Sequence, residues 1–196
     1  MDMRIFQVHS NKALPHMGSI LIASPLLYNH RFARSVILMI KNSKRGGMGI
    51  MMNRNLKLHL SINQLIPEIH SNVYIPLFEG GPVEKNRIFY IHTMGKIKGA
   101  FDLGNGLYLN GEFESIRSYI LNGNPVQGSI RFFAGYAGWT NCQLQNEINA
   151  NTWFIGSGNK QLLLESNNQK LWRNCMNKLG NPYKLWAGYP QYPSFN

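Results

Sequence analysis

Acidic side chains are scarce in this chain: 9 Asp and Glu stand against 20 Lys and Arg in 196 residues. Between Met3 and Pro67 there are nine basic residues and no acid. Such a stretch sets up a positive potential that attracts nucleic acid, anionic lipid or an acidic protein. The basic residues are dispersed, however, which favours a solubilising role over a focused field. The nearest approach to a cluster, and the candidate basic patch, is Lys41, Lys44 and Arg45. Cysteine is rarer still. Cys142 and Cys175 lie 33 positions apart, a spacing of neither a zinc ribbon nor a CxxC pair, so free thiols are expected. No apolar run approaches the roughly 18 residues of a membrane span. The opening residues lack the continuous apolar segment of a secretory signal. A soluble cytoplasmic protein with no membrane partner is expected.

Catalytic signatures are missing as well. The six histidines (9, 16, 30, 59, 70 and 92) make no HxH, HxxxH or His–Cys pair, so no metal ligand set is expected. There is no GxSxG elbow, P-loop or GxGxxG, and Gly80-Gly81-Pro82 lacks the Lys-Ser/Thr of a phosphate cradle. Nine scattered acids define no carboxylate pair. No catalytic residue and no cofactor follow from the sequence.

What remains is a foldable chain, 44% hydrophobic and 12% aromatic, whose polarity comes largely from 23 Asn and 19 Gly. That apolar content argues against disorder, and the length suits one domain. Short apolar runs at 20–23, 34–41 and 48–52 read as strands, the last two joined through a Gly46-Gly47 turn as a hairpin. Ser61 caps a short helix over 62–66 closed by Pro67. Strands are expected at 76–79, 87–92, 106–109, 129–136 and 152–155. Asn110 is expected to cap a helix burying Phe113, Ile116 and Ile120 and ending at Gly123; Asn141 is expected to cap a helix over 142–150. A last helix spans 168–179 with Leu171, Trp172, Cys175, Met176 and Leu179 inward. An aromatic, proline-rich tail from Asn181 is expected to lie on the body or on a neighbouring chain. Strands outnumber helices without regular alternation, so the class is α+β.

Several segments together resemble the AlgH/YqgE family of bacterial proteins. They are Gly18-Ser-Ile-Leu-Ile-Ala-Ser-Pro25, Phe32-Ala-Arg-Ser-Val36, Gly47-Met-Gly-Ile-Met-Met-Asn-Arg54, Gly80-Gly-Pro-Val83 and Gly135-Tyr-Ala-Gly-Trp139. The last continues through Gln143-Leu144 and Glu147-Ile148 to Trp153, and Leu171-Trp172 completes the order. The resemblance implies a single compact domain over 18–180 built on a coiled, branching, mostly antiparallel sheet with a few flanking helices. Residues 1–17 are then an N-terminal extension and 181–196 the tail. It further implies cytoplasmic location and the family's label of transcriptional regulator, which names an effect and no DNA-binding motif. The chain departs from the family at the hairpin turn, basic here where acids are usual, at Cys142 in place of glycine, and at Gln145 in place of an acid.

The best candidate for a binding cleft is Arg34, Asn53, Arg54, Trp139, Gln143 and Glu147. The packing alternative has Trp139 plugging the core, Gln143 satisfying turn backbone, and Glu147 paired with Arg34 or Arg54. Cys142, at a predicted helix N-terminus, is either a thiol of lowered pKa able to sense oxidants or a small buried residue, the second reading being the plainer. Three functional classes follow. The leading one is a non-enzymatic regulatory or binding protein acting through a protein or small-ligand surface. The second is direct nucleic-acid binding through the basic N-terminal third, with Phe6, Tyr28 and Phe32 as stacking groups, although no helix-turn-helix is visible. The third is an enzyme of unrecognised type.

Overall fold

The computed structural model describes residues 7–56, 60–69, 74–95, 97–165 and 168–190. In chain order its elements are β1 (Ser19–Ala23), β2 (Val36–Ser43), β3 (Gly46–Met51), α1 (Ile62–Leu65), β4 (Leu77–Glu79), β5 (Val83–His92), β6 (Phe101–Gly104), β7 (Leu107–Leu109), α2 (Phe113–Leu121), β8 (Ile130–Trp139), α3 (Gln143–Asn149), β9 (Trp153–Ser157), α4 (Asn168–Lys178) and α5 (Tyr183–Trp186). A π-helical turn, Gln161–Glu165, leads into α4.

Nine strands form one sheet in the order β6-β7-β5-β8-β3-β2-β1-β9, and β4 adds to β8 off that path. Every pairing is antiparallel except β4 with β8. The chain is therefore α+β, with a sheet that branches at β8. One stretch of β8, Phe132–Ala134, pairs with β4, and the next, Ala137–Trp139, pairs with β3. Gly80 sits in the fork: its N–H donates to Ala134 and its carbonyl accepts from Met51, both at 2.8 Å. The chain passes so close there that a Cβ on Gly81 would stand 2.0 Å from the Tyr136 carbonyl carbon, and only glycine fits.

Alternation along β8 builds two cores, because successive strand residues face opposite sides. Phe133 and Ala137 enter a large cluster with β1, β2, β9 and α4, whereas Phe132 and Ala134 enter a smaller one beneath α2, with Ile116, Ile120 and Tyr90. The α4 stripe Leu171, Trp172, Cys175 and Met176 is buried, and the Trp172 indole N–H donates to the Ala23 carbonyl at 2.8 Å. Tyr183 and Trp186 of α5 pack on Phe154 with ring centroids 5.0 and 6.0 Å away. At the other end of the described chain, Ser10 donates to the Trp153 carbonyl at 2.8 Å, and Asn11 accepts the Ile155 N–H at 3.0 Å.

Three local expectations are corrected. Gly46 and Gly47 lie inside β3 and the hairpin turn is Lys44-Arg45, since Ser43 pairs with Gly46 across it. Asn110 does not cap α2; its side chain accepts the Tyr90 N–H at 3.1 Å, and the helix begins after Glu112. Cys142, not Asn141, is the residue at the head of α3, with a left-handed φ of 60°. β6 and the π-helical turn were not anticipated: the first is a short, mostly exposed strand without an apolar run, and the second buries Leu162, Leu163 and Leu164 in succession without amphipathic spacing. Phe6, His59 and His70, and Tyr192 and Phe195 of the tail, lie outside the described residues.

Candidate functional site

The six cleft residues read from the sequence separate into two groups. Arg34, Asn53 and Arg54 come together where β2 begins and β3 ends. Asn53 ties the two ends: its Oδ1 accepts the Val36 N–H at 2.9 Å and its Nδ2 donates to the Arg34 carbonyl at 2.8 Å. Arg54 donates from Nη2 to the Ala33 carbonyl. Arg34 occupies a left-handed backbone position at φ 58°, and its guanidinium lies 3.8 Å from the centre of the Trp172 ring. Its Nη2 donates to the Tyr189 carbonyl at 2.6 Å, while its Nη1 is buried with no hydrogen-bond partner among the described residues.

These residues line an open cavity of about 530 Å³ that α4 and the C-terminal segment complete with Lys170, Arg173 and Tyr189. Four cations line it and, among the described residues, no acid does. Burial, and secondarily the charge of Arg173, lowers the Arg34 pKa from its ordinary value. A guanidinium stays charged under such a shift, so Arg34 adds positive charge to the cavity. Lys170 and Arg173 were missed in the sequence. Their only signal was a three-residue spacing on the polar face of the last helix, which solvated charge explains equally well.

Trp139, Gln143 and Glu147 form a separate arrangement. Glu147 Oε2 accepts the indole N–H of Trp139 at 2.8 Å and that of Trp153 at 2.7 Å, and Oε1 accepts from Gln143 at 2.9 Å. Gln143 in turn accepts the Thr140 N–H at 3.0 Å, closing the turn between β8 and α3. The two indoles meet edge to face at 6.2 Å. Pairing of Glu147 with Arg34 or Arg54 is thus corrected: indole N–H groups can only donate, and two of them occupy the carboxylate. The Gly135–Trp139 signature ends in a clamp that fastens α3 and β9 to the sheet.

Lys41, Lys44 and Arg45 are all exposed and stand together around the tip of the β2–β3 hairpin. Lys41 and Arg45 flank a shallow cavity of about 370 Å³ with Tyr136 and Trp139. Cys142 is exposed rather than buried, because Leu144 takes the inward position at the start of α3. Cys175 is buried in the main core, and burial pushes its thiol up to about 12, so it stays protonated. Among the described residues no three of His, Cys, Asp and Glu come together as a metal site, and no helix is long and apolar enough to cross a membrane.

The AlgH-like family model matches residues 20–184. A UPF0301 protein of Bacteroides fragilis is 43% identical over 192 residues, covering 98% of this chain and 97% of the relative. One of Bacteroides thetaiotaomicron is 41% identical over 195 residues, covering 100% and 98%. Among solved structures, protein DIP2367 from Corynebacterium diphtheriae superposes with a TM-score of 0.73 at 22% identity, over 90% of this chain and 94% of that one. The solution structure of AlgH from Pseudomonas aeruginosa gives 0.67 at 23% identity, over 92% and 98%. At such identities the structural likeness concerns the fold.

Proposed function

The chain belongs to the AlgH-like family, and from that premise we propose that it is a non-enzymatic binding protein with a regulatory role in the cytoplasm, whose ligand is a small anion held at Arg34, Asn53 and Arg54. The observation that carries the reading is the cavity lined by four cations and, among the described residues, by no acid. A phosphate or carboxylate there would gain charge-assisted hydrogen bonds from guanidinium groups whose fork matches its oxygens. Stacking on Trp172 and the Tyr189 carbonyl hold Arg34 in place before a ligand arrives, so little ordering cost remains to be met on binding. The test is a calorimetric titration with inorganic phosphate and pyrophosphate at low salt. Saturable binding is expected, and Arg173→Gln should weaken it about tenfold, as loss of a charge-assisted bond implies. Absence of saturable binding by either anion overturns the reading.

Nucleic acid is the second reading, favoured by the two-residue basic turn at the hairpin tip with exposed Lys41 beside it. A basic ribbon of that kind can enter a groove. Binding through phosphates falls steeply with salt. Affinity capture from lysate with and without nuclease tests it: captured nucleic acid that vanishes on nuclease treatment favours the hairpin, and capture of no nucleic acid overturns this second reading.

A further inference from the structure

Around the hairpin tip the sheet covers one of its faces and leaves the other open. Ala137 and Trp139 of β8 enter the main core, so Tyr136 and Gly138 stand on the opposite face. Cross-strand register extends that face: Gly138 pairs with Met48 of β3, Met48 with Lys41 of β2, and Tyr136 with Val83 of β5. Lys41, Val83 and Gly138 are exposed, while Tyr136 and Met48 are half-buried. With Arg45 from the turn they line the shallow cavity of about 370 Å³, where there are two cations and, among the described residues, no acid. Gly138 is its floor: a Cβ there would stand 3.3 Å from the Tyr136 ring and 3.9 Å from a Val83 methyl. Phe89 meets the Tyr136 ring edge to face at 5.9 Å and holds it in place. Among the described residues neither Lys41 nor Arg45 makes an ion pair, and Glu84, beside Val83, is engaged by Arg87 at 3.3 Å.

We infer that this face binds single-stranded nucleic acid, one base stacking on Tyr136 above Gly138 while Lys41 and Arg45 take the neighbouring phosphates. This rests on the nucleic-acid reading above and narrows it from a duplex groove to an unpaired strand. Aromatic rings flanked by cations are the elements that bind single strands, because every base offers a π-face and every linkage a negative charge. A duplex hides those faces inside its own stack. The cavity lies within the roughly 300–1,000 Å³ usual for small ligands, room for one base and too little for a helix. Its apolar walls, Met48 and Val83, also separate a base from a bare anion, which would use the two cations and nothing between them.

The experiment is fluorescence anisotropy of the full chain, over a salt series, with a labelled short single-stranded DNA, the same sequence as a duplex, and labelled polyglutamate. The single strand should bind about tenfold more tightly than either, the increment that stacking of one base brings. Tyr136→Ala should remove that advantage without changing the salt slope, and Tyr136→Phe, which keeps the ring, should restore it. Gly138→Leu fills the floor from an exposed position and repeats the test if Tyr136→Ala folds poorly. Arg45→Gln should lower the salt slope by about 0.7, the value of one phosphate contact on a single strand. A duplex that binds as tightly as the single strand, or a single strand indifferent to Tyr136→Ala and Gly138→Leu, overturns this inference and leaves the hairpin reading standing. Polyglutamate that matches the single strand, or no binding of either nucleic acid, overturns both.

Discussion

Glu147 illustrates how a carboxylate can be consumed by structure. Its neighbours are two buried indoles and an amide rather than a cation. Removing the acceptor strands two buried donors, so Glu147→Ala should cost about 2–4 kcal/mol, and Glu147→Gln, which keeps one oxygen, distinctly less. Urea denaturation followed by tryptophan fluorescence measures both. His92 is a second residue with a structural task. It is fully buried, its Nε2 bonds the Asn110 carbonyl at 2.8 Å, and its ring stacks on Tyr108 at 5.8 Å. Burial lowers its pKa below the ordinary 6.5, against the opposing pull of the Asn110 carbonyl. The folded state therefore favours the neutral ring, and below the unfolded value the unfolded chain binds more protons. Its contribution is complete above pH 6.5 and is lost as pH falls through the lowered value. Urea midpoints should drop between pH 7 and 5 by more in the parent than in His92→Gln; equal slopes would show that His92 is not responsible. At this scale Arg34, Asn53 and Arg54, three of the six residues expected in one cleft, come together because they flank one hairpin. The sequence could not add Arg173, whose approach depends on how α4 docks more than a hundred residues later.

Hairpin β2–β3 shows what was legible in an element and what was not. Two apolar runs around a polar turn announced it. The glycines were misplaced because turn preference and close packing leave the same residue in a sequence. Gly46 has φ 135°, and a Cβ there would lie 2.4 Å from the Trp139 carbonyl oxygen. Gly46→Ala should accordingly destabilise the protein by on the order of 2–3 kcal/mol, read as a lowered urea midpoint. The same variant placed at Gly104, which also has a positive φ, 80°, but open space around it, shows what backbone strain costs without a collision. Helix starts were misread for a related reason. An asparagine side chain bonds backbone groups in turns as readily as at helix caps, and Asn110 accepts the Tyr90 N–H of β5 instead.

Over the whole molecule, strand-rich composition without regular helix alternation was enough for the class, and the ordered glycine signatures were enough for the family resemblance. The branch in the sheet was not readable from spacing, since β4 and β3 take adjoining stretches of β8 from different distances along the chain. The charge excess was also readable only in bulk. Cations that look dispersed along the sequence gather from the segments flanking β2 and β3 and from α4 into one cavity once those elements meet. The sheet's arrangement has a further consequence for synthesis. β1, β2 and β3 leave the ribosome early, but the strand that joins them to the other half begins only at Ile130. Both apolar clusters must stay open until then, and β9 arrives later still. Assembly during translation is therefore back-loaded, and nascent chains halted before residue 130 should engage chaperones rather than adopt half of the final form.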